Sequence, residues 1–260
     1  MCGILASVNS TEWIENKNLY HRGPDRCFKF NDKSLKVHFY RLAIIGNDHD
    51  GSQPFSDLSK RFNVWCNGEI FNYKELSLKY KIVLKTTCDI EVIPKLISKI
   101  GIKKTLSQIR GFFSMIIYDK NKKEIYLSVD HFGIKPLYYS LQNNKLLISS
   151  ELRSFEKSKL NFLAIKQYFE TLSSISSNTF LDNVFSLEPS QIIKFDISNN
   201  IKKVNSSNYW NLEIDKIEKF PINKDEINYK ITQAFQRNSI SDFPVSNLLS
   251  GGIDSTIIAL

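Results

Sequence analysis

The sequence predicts an α+β layered domain followed by the start of a separate α/β unit. Three observations support this prediction. Short segments of alternating apolar and polar residues dominate the first half of the chain, a polar and irregular stretch lies between about residues 199 and 224, and beyond it an apolar run leads into a glycine-rich turn. Strands mixed with helices, without regular βαβ alternation, favour the α+β class for the first domain.

The strands of this domain are predicted from a period of two. Residues 35–40 and 62–67 alternate apolar and polar side chains, which is typical of strands with one buried face. Two hairpins are also predicted. One joins segments 112–119 and 124–130 through a turn at 120–123, and the other turns around residues 142–145.

A helix is predicted from Asp89 onward, because the apolar residues change to helical spacing. Asp89 is placed as its N-cap and Gly101 as its end. The apolar face consists of Ile90, Ile93, Ile97 and Ile100.

The chain beyond about residue 210 has a different character. A helix is predicted around residues 227–235, and residues 245–249 read as a strand that runs into the turn 250–255 and a further helix. A lone parallel strand with half a helix cannot bury both faces. We therefore expect domains at 1–210 and 211–260, the second being the beginning of a longer unit, and the sequence a fragment of a longer polypeptide.

Composition excludes several classes of protein. Of the 260 residues 42% are hydrophobic, which suits an ordinary globular core. The net charge is +8, but the basic residues are scattered, so a nucleic-acid interface is not expected. No apolar run approaches the ~18 residues of a membrane span, and the N-terminus lacks the pattern of a secretory signal. We expect a cytoplasmic protein without a membrane partner.

The cysteines and histidines show no spacing that resembles a zinc site, so no metal is expected. Cys27, Cys66 and Cys88 are interpreted as small buried apolar residues. Cys2 differs, because removal of the initiator Met1 would leave its thiol and a free α-amine on one residue. With a reference pKa of about 7.7–8.0 that amine is partly unprotonated near neutrality, so it can serve the thiol as a base.

A series of motifs indicates a family. The start Cys2-Gly3-Ile4 resembles class II glutamine amidotransferases, and further segments resemble, in order, the motifs of glutamine-hydrolysing asparagine synthetases over essentially the whole chain. These segments are His21–Asp25, Arg41–Ile45, Gly51–Pro54, Asn67–Asn72, Cys88–Val92, Gly111–Phe113, Asp130–Tyr139 and Ser150–Leu152.

The resemblance implies a fold and a reaction. The fold is a four-layer αββα Ntn-hydrolase sandwich, two antiparallel sheets between helical layers, with the nucleophile at the start of an inner strand. Cys2 would attack the side-chain amide of glutamine and release ammonia, and the thioester would then be hydrolysed. Asn67 and Gly68 match the family positions that stabilise the oxyanion, through a side-chain amide and a backbone N–H.

The resemblance also implies how glutamine is held. Arg41 would bind the α-carboxylate, and Asp89 and Glu69 the α-ammonium and neighbouring polar atoms. Four further residues would line the site, partly through their backbone groups: Leu42, Ala43, Ile44 and Ile45. Taken alone, Arg41 reads as an ordinary strand residue and Asp89 as a helix cap. Arg22 and Asp25 are interpreted as a pair that organises a loop near the pocket.

The turn Ser250–Ser255 resembles the pyrophosphate-binding SGGxDS loop of ATP-dependent synthetases. Glycines leave backbone N–H groups open to an anion, and a following helix N-terminus favours it. The ATP-binding residues implied are Leu249, Ser250, Gly251, Gly252, Asp254 and Ser255. ATP with Mg²⁺ would activate aspartate, which the ammonia then amidates, whereas the glutaminase step needs no cofactor.

Alternatives remain open at this point. Glu188–Gln191 departs from the turn usual in the family, so another acid such as a sugar acid could be the acceptor, whose pocket is expected beyond residue 260. A non-catalytic remnant that binds glutamine or a partner is a further reading. The expected partners are small molecules (glutamine, ATP and aspartate or another acid), and a homodimer is compatible with the sequence.

Overall fold

The computed structural model describes residues 1–10, 19–46, 50–155, 158–173, 176–212 and 223–259. In these ranges two six-stranded antiparallel sheets face each other. The strands are β1 Gly3–Val8, β2 Arg26–Asn31, β3 Leu35–Arg41, β4 Phe55–Ser56, β5 Phe62–Ile70, β6 Gly111–Asp119, β7 Glu124–Val129, β8 Tyr138–Gln142, β9 Lys145–Ser149, β10 Phe185–Ser186, β11 Gln191–Asp196 and β12 Lys202–Asn208. The helices are α1 Tyr73–Lys79, α2 Val92–Ile100, α3 Ile102–Gln108, α4 Phe162–Thr171, α5 Lys224–Asn238 and α6 Ile253–Ala259, with 3₁₀ turns at Asp89–Glu91 and Leu152–Phe155.

The order of the strands puts the chain's first strand inside a sheet. The first sheet runs β10-β8-β9-β1-β3-β2 and the second β12-β11-β7-β6-β5-β4. Strand β1 therefore has a neighbour on each side, and all six of its residues are buried. This is the inner position that the resemblance implies for the strand following the nucleophile.

The main core lies between the two sheets. Phe39 of β3 meets Trp65 of β5, Tyr118 of β6 and Phe195 of β11 there, all of them buried. A second core joins the other face of the second sheet to α2 and α3. The two antiparallel sheets and the helical layer on one of them agree with the predicted sandwich.

Alternation along β5 decides which of its residues can reach β1. Val64 and Cys66 belong to the core shared with the helices, whereas Trp65 belongs to the core between the sheets. Because successive side chains of a strand point to opposite faces, Asn67 shares the face of Trp65. The period of two thus carries Asn67 toward the sheet that contains β1.

Most predicted elements of the first domain are present. The strand predictions correspond to β3 and β5, and the two hairpins to β6–β7 and β8–β9. The helical stretch ends as predicted at Gly101, whose φ of 82° is the left-handed conformation that glycine adopts readily.

Two sequence interpretations in this domain were wrong. Asp89 is not an N-cap: it lies inside the 3₁₀ turn Asp89–Glu91, and its Oδ2 accepts a hydrogen bond from the Ile70 N–H at 2.6 Å. The carboxylate thus accepts its hydrogen bond from β5 rather than from the backbone of the helix that follows it. Cys27 is exposed on the edge strand β2, whereas Cys66 and Cys88 are buried as expected.

The polar stretch after residue 199 is less irregular than predicted. Residues Lys202–Asn208 form β12, which pairs with β11 at the edge of the second sheet. Most of its side chains are exposed, so the strand has no apolar alternation to reveal it. Residues 213–222 lie outside the described ranges, and the division at 210 and 211 stays a prediction.

The predicted strand at 245–249 has no sheet pairing. Residues 244–250 have no regular secondary structure, because the described residues provide no neighbouring parallel strand. The turn and the helix that follow are present, as is the predicted helix over 227–235, within α5. Among the described helices, none combines the length and hydropathy needed to cross a membrane.

Candidate active site

Cys2 lies immediately before β1 and is held by contacts to two loops. Its Sγ accepts a hydrogen bond from the Leu42 N–H at 3.3 Å, and its thiol faces the Leu42 carbonyl at 3.5 Å. Arg22 Nε donates to the Cys2 carbonyl at 2.9 Å. Both the backbone and the thiol of the predicted nucleophile are therefore fixed at the end of an inner strand.

The Cys2 thiol needs a base in order to react. Burial raises its pKa, and this effect exceeds the lowering by the Leu42 hydrogen bond. Burial also lowers the pKa of the α-amine of Met1, the residue beside it. A larger fraction of the Met1 amine is therefore unprotonated at neutral pH than of an exposed amine, whereas the Cys2 thiol stays protonated.

A cleft opens at Cys2 and brings most of the predicted glutamine-site residues together. The predicted residues that line it are Cys2, Arg41, Leu42, Ile44, Ile45, Asn67, Gly68, Glu69 and Asp89. Ala43 is the exception, because it does not line the cleft. Its N–H donates to Asp25 Oδ2 at 2.8 Å instead.

Asn67 provides an unused hydrogen-bond donor in this cleft. Its residue is 1% exposed, and its Nδ2 has no hydrogen-bond partner in the described part of the chain. Buried amide groups are normally paired, so an unpaired donor beside a nucleophile calls for a ligand. At the next residue, a Cβ on Gly68 would lie 2.0 Å from the Phe112 carbonyl oxygen, so only glycine lets β5 and β6 approach this closely.

Arg41 is buried at the C-terminal end of β3, beside the turn that follows it. Its Nη2 donates to the carbonyls of Ile45 at 3.3 Å and Gly46 at 3.0 Å. Gly51 lies against the guanidinium so closely that a Cβ there would be 2.1 Å from Arg41 Cζ. The planar fork that suits a carboxylate is thus confined between the turn and Gly51.

Two acidic residues, Glu69 and Asp89, also line the cleft. Burial raises the pKa of Asp89 to about 6. Burial and the neighbouring Asp89 charge raise that of Glu69 to about 7, against the opposing influence of Lys135. Two carboxylates that are costly to ionise are a natural site for a cation, because an ammonium group would compensate their charge.

A small network outside the cleft organises the loops that carry it. Arg22, which holds the Cys2 carbonyl, also donates through Nη1 to Glu151 Oε1 at 3.1 Å. Ser150 holds the second residue of β1, because the Ile4 N–H donates to its Oγ at 3.0 Å. Together with the contact of Asp25 to Ala43, these bonds match the interpretation of Arg22 and Asp25 as loop-organising residues.

Several cleft residues were missed by sequence reasoning. Gln53 pairs with the Cys66 backbone through both its amide oxygen, at 2.6 Å, and its amide nitrogen, at 3.1 Å. Lys135 lies 4.4 Å from the centre of the Phe112 ring, and all three of these side chains line the cleft. Gln53, Phe112 and Lys135 stand in motifs noted in the sequence, but no chemical pattern there assigned them to the site.

The predicted ATP-binding residues lie apart from this cleft, in a largely exposed stretch that comprises the turn before α6 and the first residues of that helix. Gly251 has a φ of 82° and open space where a Cβ would be. The Ser250 and Ser255 hydroxyls are 3.0 Å apart, and Ser255 Oγ donates to the Gly252 carbonyl at 3.0 Å. Leu249 is exposed. An open turn with two hydroxyls and a glycine backbone has the donor set that suits phosphate oxygens.

Comparison with known proteins places these features in a family. A family model described as glutamine amidotransferase domain matches residues 1–210, and one described as asparagine synthase matches residues 226–260. A probable glutamine-hydrolysing asparagine synthetase of Acanthamoeba polyphaga mimivirus is 31% identical over 99% of this chain and 48% of its own length. An amidase, chry2, of Gibberella zeae is 31% identical over 92% of this chain and 36% of its own.

The fold has solved relatives as well. Glutamine phosphoribosylpyrophosphate amidotransferase from B. subtilis superposes with a TM-score of 0.56 at 17% identity, over 80% of this chain and 49% of that one. This likeness concerns the fold alone. The chain spans about half the length, or less, of these relatives. With a matching family model over residues 1–210 and the predicted nucleophile at the start of an inner strand, the chain belongs to the glutamine amidotransferase domain family.

Proposed function

We propose that this chain hydrolyses glutamine at Cys2 and that the whole protein uses the ammonia to convert ATP-activated aspartate to asparagine. The observation that carries the first part is the cleft itself. It joins a partly buried thiol, an unpaired amide donor on Asn67, a confined arginine and two carboxylates whose pKa values burial raises. The second part rests on the resemblance of the C-terminal segment to asparagine synthase.

The proposed reaction begins with the thiol of Cys2. Removal of Met1 frees the α-amine of Cys2, which takes the thiol proton as Sγ bonds to the amide carbon of glutamine. The oxyanion accepts hydrogen bonds from the Asn67 Nδ2–H and the Gly68 N–H. Collapse of the adduct breaks the carbon–nitrogen bond, and the amine returns its proton to the leaving ammonia. Water then adds to the thioester, releases glutamate and restores the thiol.

Charge complementarity orients the substrate. Arg41, which its contacts to the carbonyls of Ile45 and Gly46 hold in place, binds the α-carboxylate. Asp89 and Glu69 bind the α-ammonium, whose charge stabilises both carboxylates in their ionised forms. A glutamine held by both its α-carboxylate and its α-ammonium presents its side-chain amide to Cys2. The thiol and the amide then react as groups of one complex, at a high effective concentration.

The nucleotide would be bound by the turn Ser250–Ser255. The backbone N–H groups of its glycines and the hydroxyls of Ser250 and Ser255 would hold the pyrophosphate of ATP, with Mg²⁺ bound to the phosphate oxygens. Asp254, at the start of α6, is the acidic residue of this turn. ATP supplies the leaving group that makes the acceptor carboxyl reactive.

Four free cysteines in the chain favour a cytoplasmic location.

A second acceptor is favoured by two observations. A relative of equal identity is named an amidase, and Glu188–Gln191 departs from the turn usual among asparagine synthetases. The same glutaminase could therefore serve amidation of another carboxylic acid, such as a sugar acid. Incubation of the whole protein with glutamine and ATP, with aspartate or a panel of sugar acids, separates the two by the amide product formed.

The glutaminase proposal is tested on the purified chain. We expect release of glutamate and ammonia from glutamine, and stoichiometric labelling of Cys2 by an electrophilic glutamine analogue. Cys2→Ala should abolish both, with an unchanged melting temperature, whereas Cys27→Ala, at an exposed position outside the cleft, should hydrolyse glutamine at the normal rate.

Other outcomes decide between the alternatives. Full hydrolysis by the Cys2→Ala variant would refute the nucleophile. A wild-type chain that is stabilised by glutamine but does not hydrolyse it would identify a non-catalytic remnant. Mass spectrometry should find the active chain beginning at Cys2, and an active preparation that retains Met1 would contradict the role of the Cys2 amine.

A further inference from the structure

The turn that follows β3, residues 42–46, links the parts of the glutamine site. At its first residue, the Leu42 N–H holds the Cys2 thiol. At its other end, the Ile45 and Gly46 carbonyls hold the Arg41 guanidinium. The position of this turn, called the glutamine turn below, therefore sets both the nucleophile and the carboxylate-binding group.

A segment from the far end of the chain fastens the glutamine turn. The Asp242 N–H donates to the Ile44 carbonyl at 2.9 Å, and Asp242 Oδ2 accepts from the Gly46 N–H at 2.7 Å. Ser241 Oγ donates to the same Ile44 carbonyl at 3.4 Å. One residue thus donates to the turn and accepts from it two residues further on, which fixes the orientation of the turn as well as its position.

The side of the turn beyond Gly46 is closed as well. Gly46 has a φ of 81°, and a Cβ there would lie 3.3 Å from Thr87 Oγ1 and 3.6 Å from the Cys88 Cα. The residue thus lies between residues 87 and 88, which lead into Asp89, and the Asp242 carboxylate that accepts its N–H. A shift of Asp242 would therefore disturb the packing of Gly46 against residues 87 and 88, which lead into Asp89.

We propose that Asp242 is a positioning residue of the glutamine site, through which the synthetase segment holds the glutamine turn in its binding conformation. The inference rests on the proposed glutaminase function. Asp242 belongs to the residues matched by the asparagine synthase model, and the phosphate turn begins a few residues later at Ser250. One short segment thus touches the glutamine turn and leads directly into the phosphate turn.

Thermodynamic linkage makes the coupling between glutamine binding and the Asp242 contact reciprocal. Glutamine, which orders the glutamine turn, also favours the bound position of Asp242, and a nucleotide that orders the segment favours glutamine binding by the same factor. The effect is moderate, because Asp242 is exposed and water competes for its carboxylate. We expect Asp242→Ala to raise the glutamine KM by about three- to tenfold with little change in kcat.

Two readouts test the proposal. The first is hydrogen exchange of the Gly46 amide, measured by NMR in the 260-residue chain without glutamine. Exchange should be accelerated about tenfold in Asp242→Ala, while the Val37 amide in the middle of β3 keeps its rate. The second is steady-state glutamine hydrolysis. Asp242→Asn, which retains a side-chain acceptor, should recover much of the wild-type KM.

The control is Glu226→Ala, which removes an exposed acidic residue of α5 that pairs with Lys230 and should leave both readouts unchanged. Unchanged Gly46 exchange in Asp242→Ala would overturn the proposal, as would an unchanged KM. A lower kcat with an unchanged KM would show a loss of active enzyme and overturn it too. If the wild-type chain hydrolyses no glutamine, the glutaminase proposal fails, and the Gly46 amide alone then decides whether Asp242 holds the turn.

Discussion

Asp89 should carry a measurable cost in stability, because burial disfavours its ionised form. The residue is 3% exposed, and its pKa of about 6 lies well above the ordinary 3.8 because burial disfavours the carboxylate. A difference of this size corresponds to about 3 kcal/mol of folding free energy lost when the group is ionised. The Ile70 N–H at 2.6 Å offsets the burial only in part.

The substitution Asp89→Asn removes the charge and keeps an acceptor for the Ile70 N–H. A group with a raised pKa in the folded state favours folding at low pH and loses that contribution as pH rises through the folded value. The variant should therefore be more stable than the wild type above pH 6, by up to about 3 kcal/mol or on the order of 5–10 °C in Tm. Below about pH 4 the advantage should vanish.

The same substitution should damage glutamine binding. Loss of a charge-assisted contact to the substrate ammonium costs about 1.5–3 kcal/mol, which is about 10- to 150-fold in KM. The assays are thermal unfolding of both proteins at pH 4, 6 and 8, together with steady-state hydrolysis at pH 8. A variant less stable than the wild type at pH 8 would refute the reasoning, because the ionised carboxylate would then stabilise the fold through its contacts.

Glu91, two residues away, supplies a control of opposite sign. It is also buried, but its carboxylate accepts from the Lys85 and Thr86 N–H groups at 2.8–2.9 Å and pairs with Lys95, and these contacts lower its pKa in spite of the burial. Its contribution to stability is present above the ordinary pKa and lost on acidification. Glu91→Gln should therefore be destabilised at pH 8 and much less so at pH 4.

Three further predictions concern the cleft. The glutamine KM of the wild type should rise as pH falls below about 7 and further below about 6, because Glu69 and Asp89 take up protons there, and a flat pH profile of KM would contradict the assignment. Asn67→Ala should lower kcat by about 10²–10³ with a nearly constant KM, as expected for an oxyanion donor; a change confined to KM would point to substrate binding instead. Gly51→Ala should displace the Arg41 guanidinium and raise the glutamine KM about tenfold or more, which a crystal structure of the variant and steady-state kinetics would check.

The alternation of side chains and the turn chemistry were sufficient to predict much of the first domain. Strands β3 and β5, the hairpins β6–β7 and β8–β9, and the helix end at Gly101 follow from local patterns. Strand β12 escaped because an edge strand buries little, and residues 245–249 read as a strand although a parallel strand needs neighbours.

The site was predictable only so far as motifs carry chemistry. Cys2 is marked by its own chemistry, as a thiol beside a chain amine, whereas Arg41 and Asn67 were assigned to the site only through the resemblance. Gln53 and Lys135 belong to the site through contacts with residues far away in the sequence. Gln53 pairs with the backbone of β5, and the Lys135 charge acts on Glu69. No local spacing in the sequence indicates either contact.

Asp89 shows why local reasoning gave the wrong role for a residue that lies in the cleft. An acidic residue before an apolar helical stretch is a good N-cap by every local rule, yet its carboxylate faces β5, where it is ionised at a cost. A cap would have lowered its pKa, whereas burial raises it. A neighbouring cation would offset this cost, and under the proposed function the α-ammonium of glutamine, bound in the cleft that Asp89 shares with Arg41 and Cys2, is that cation.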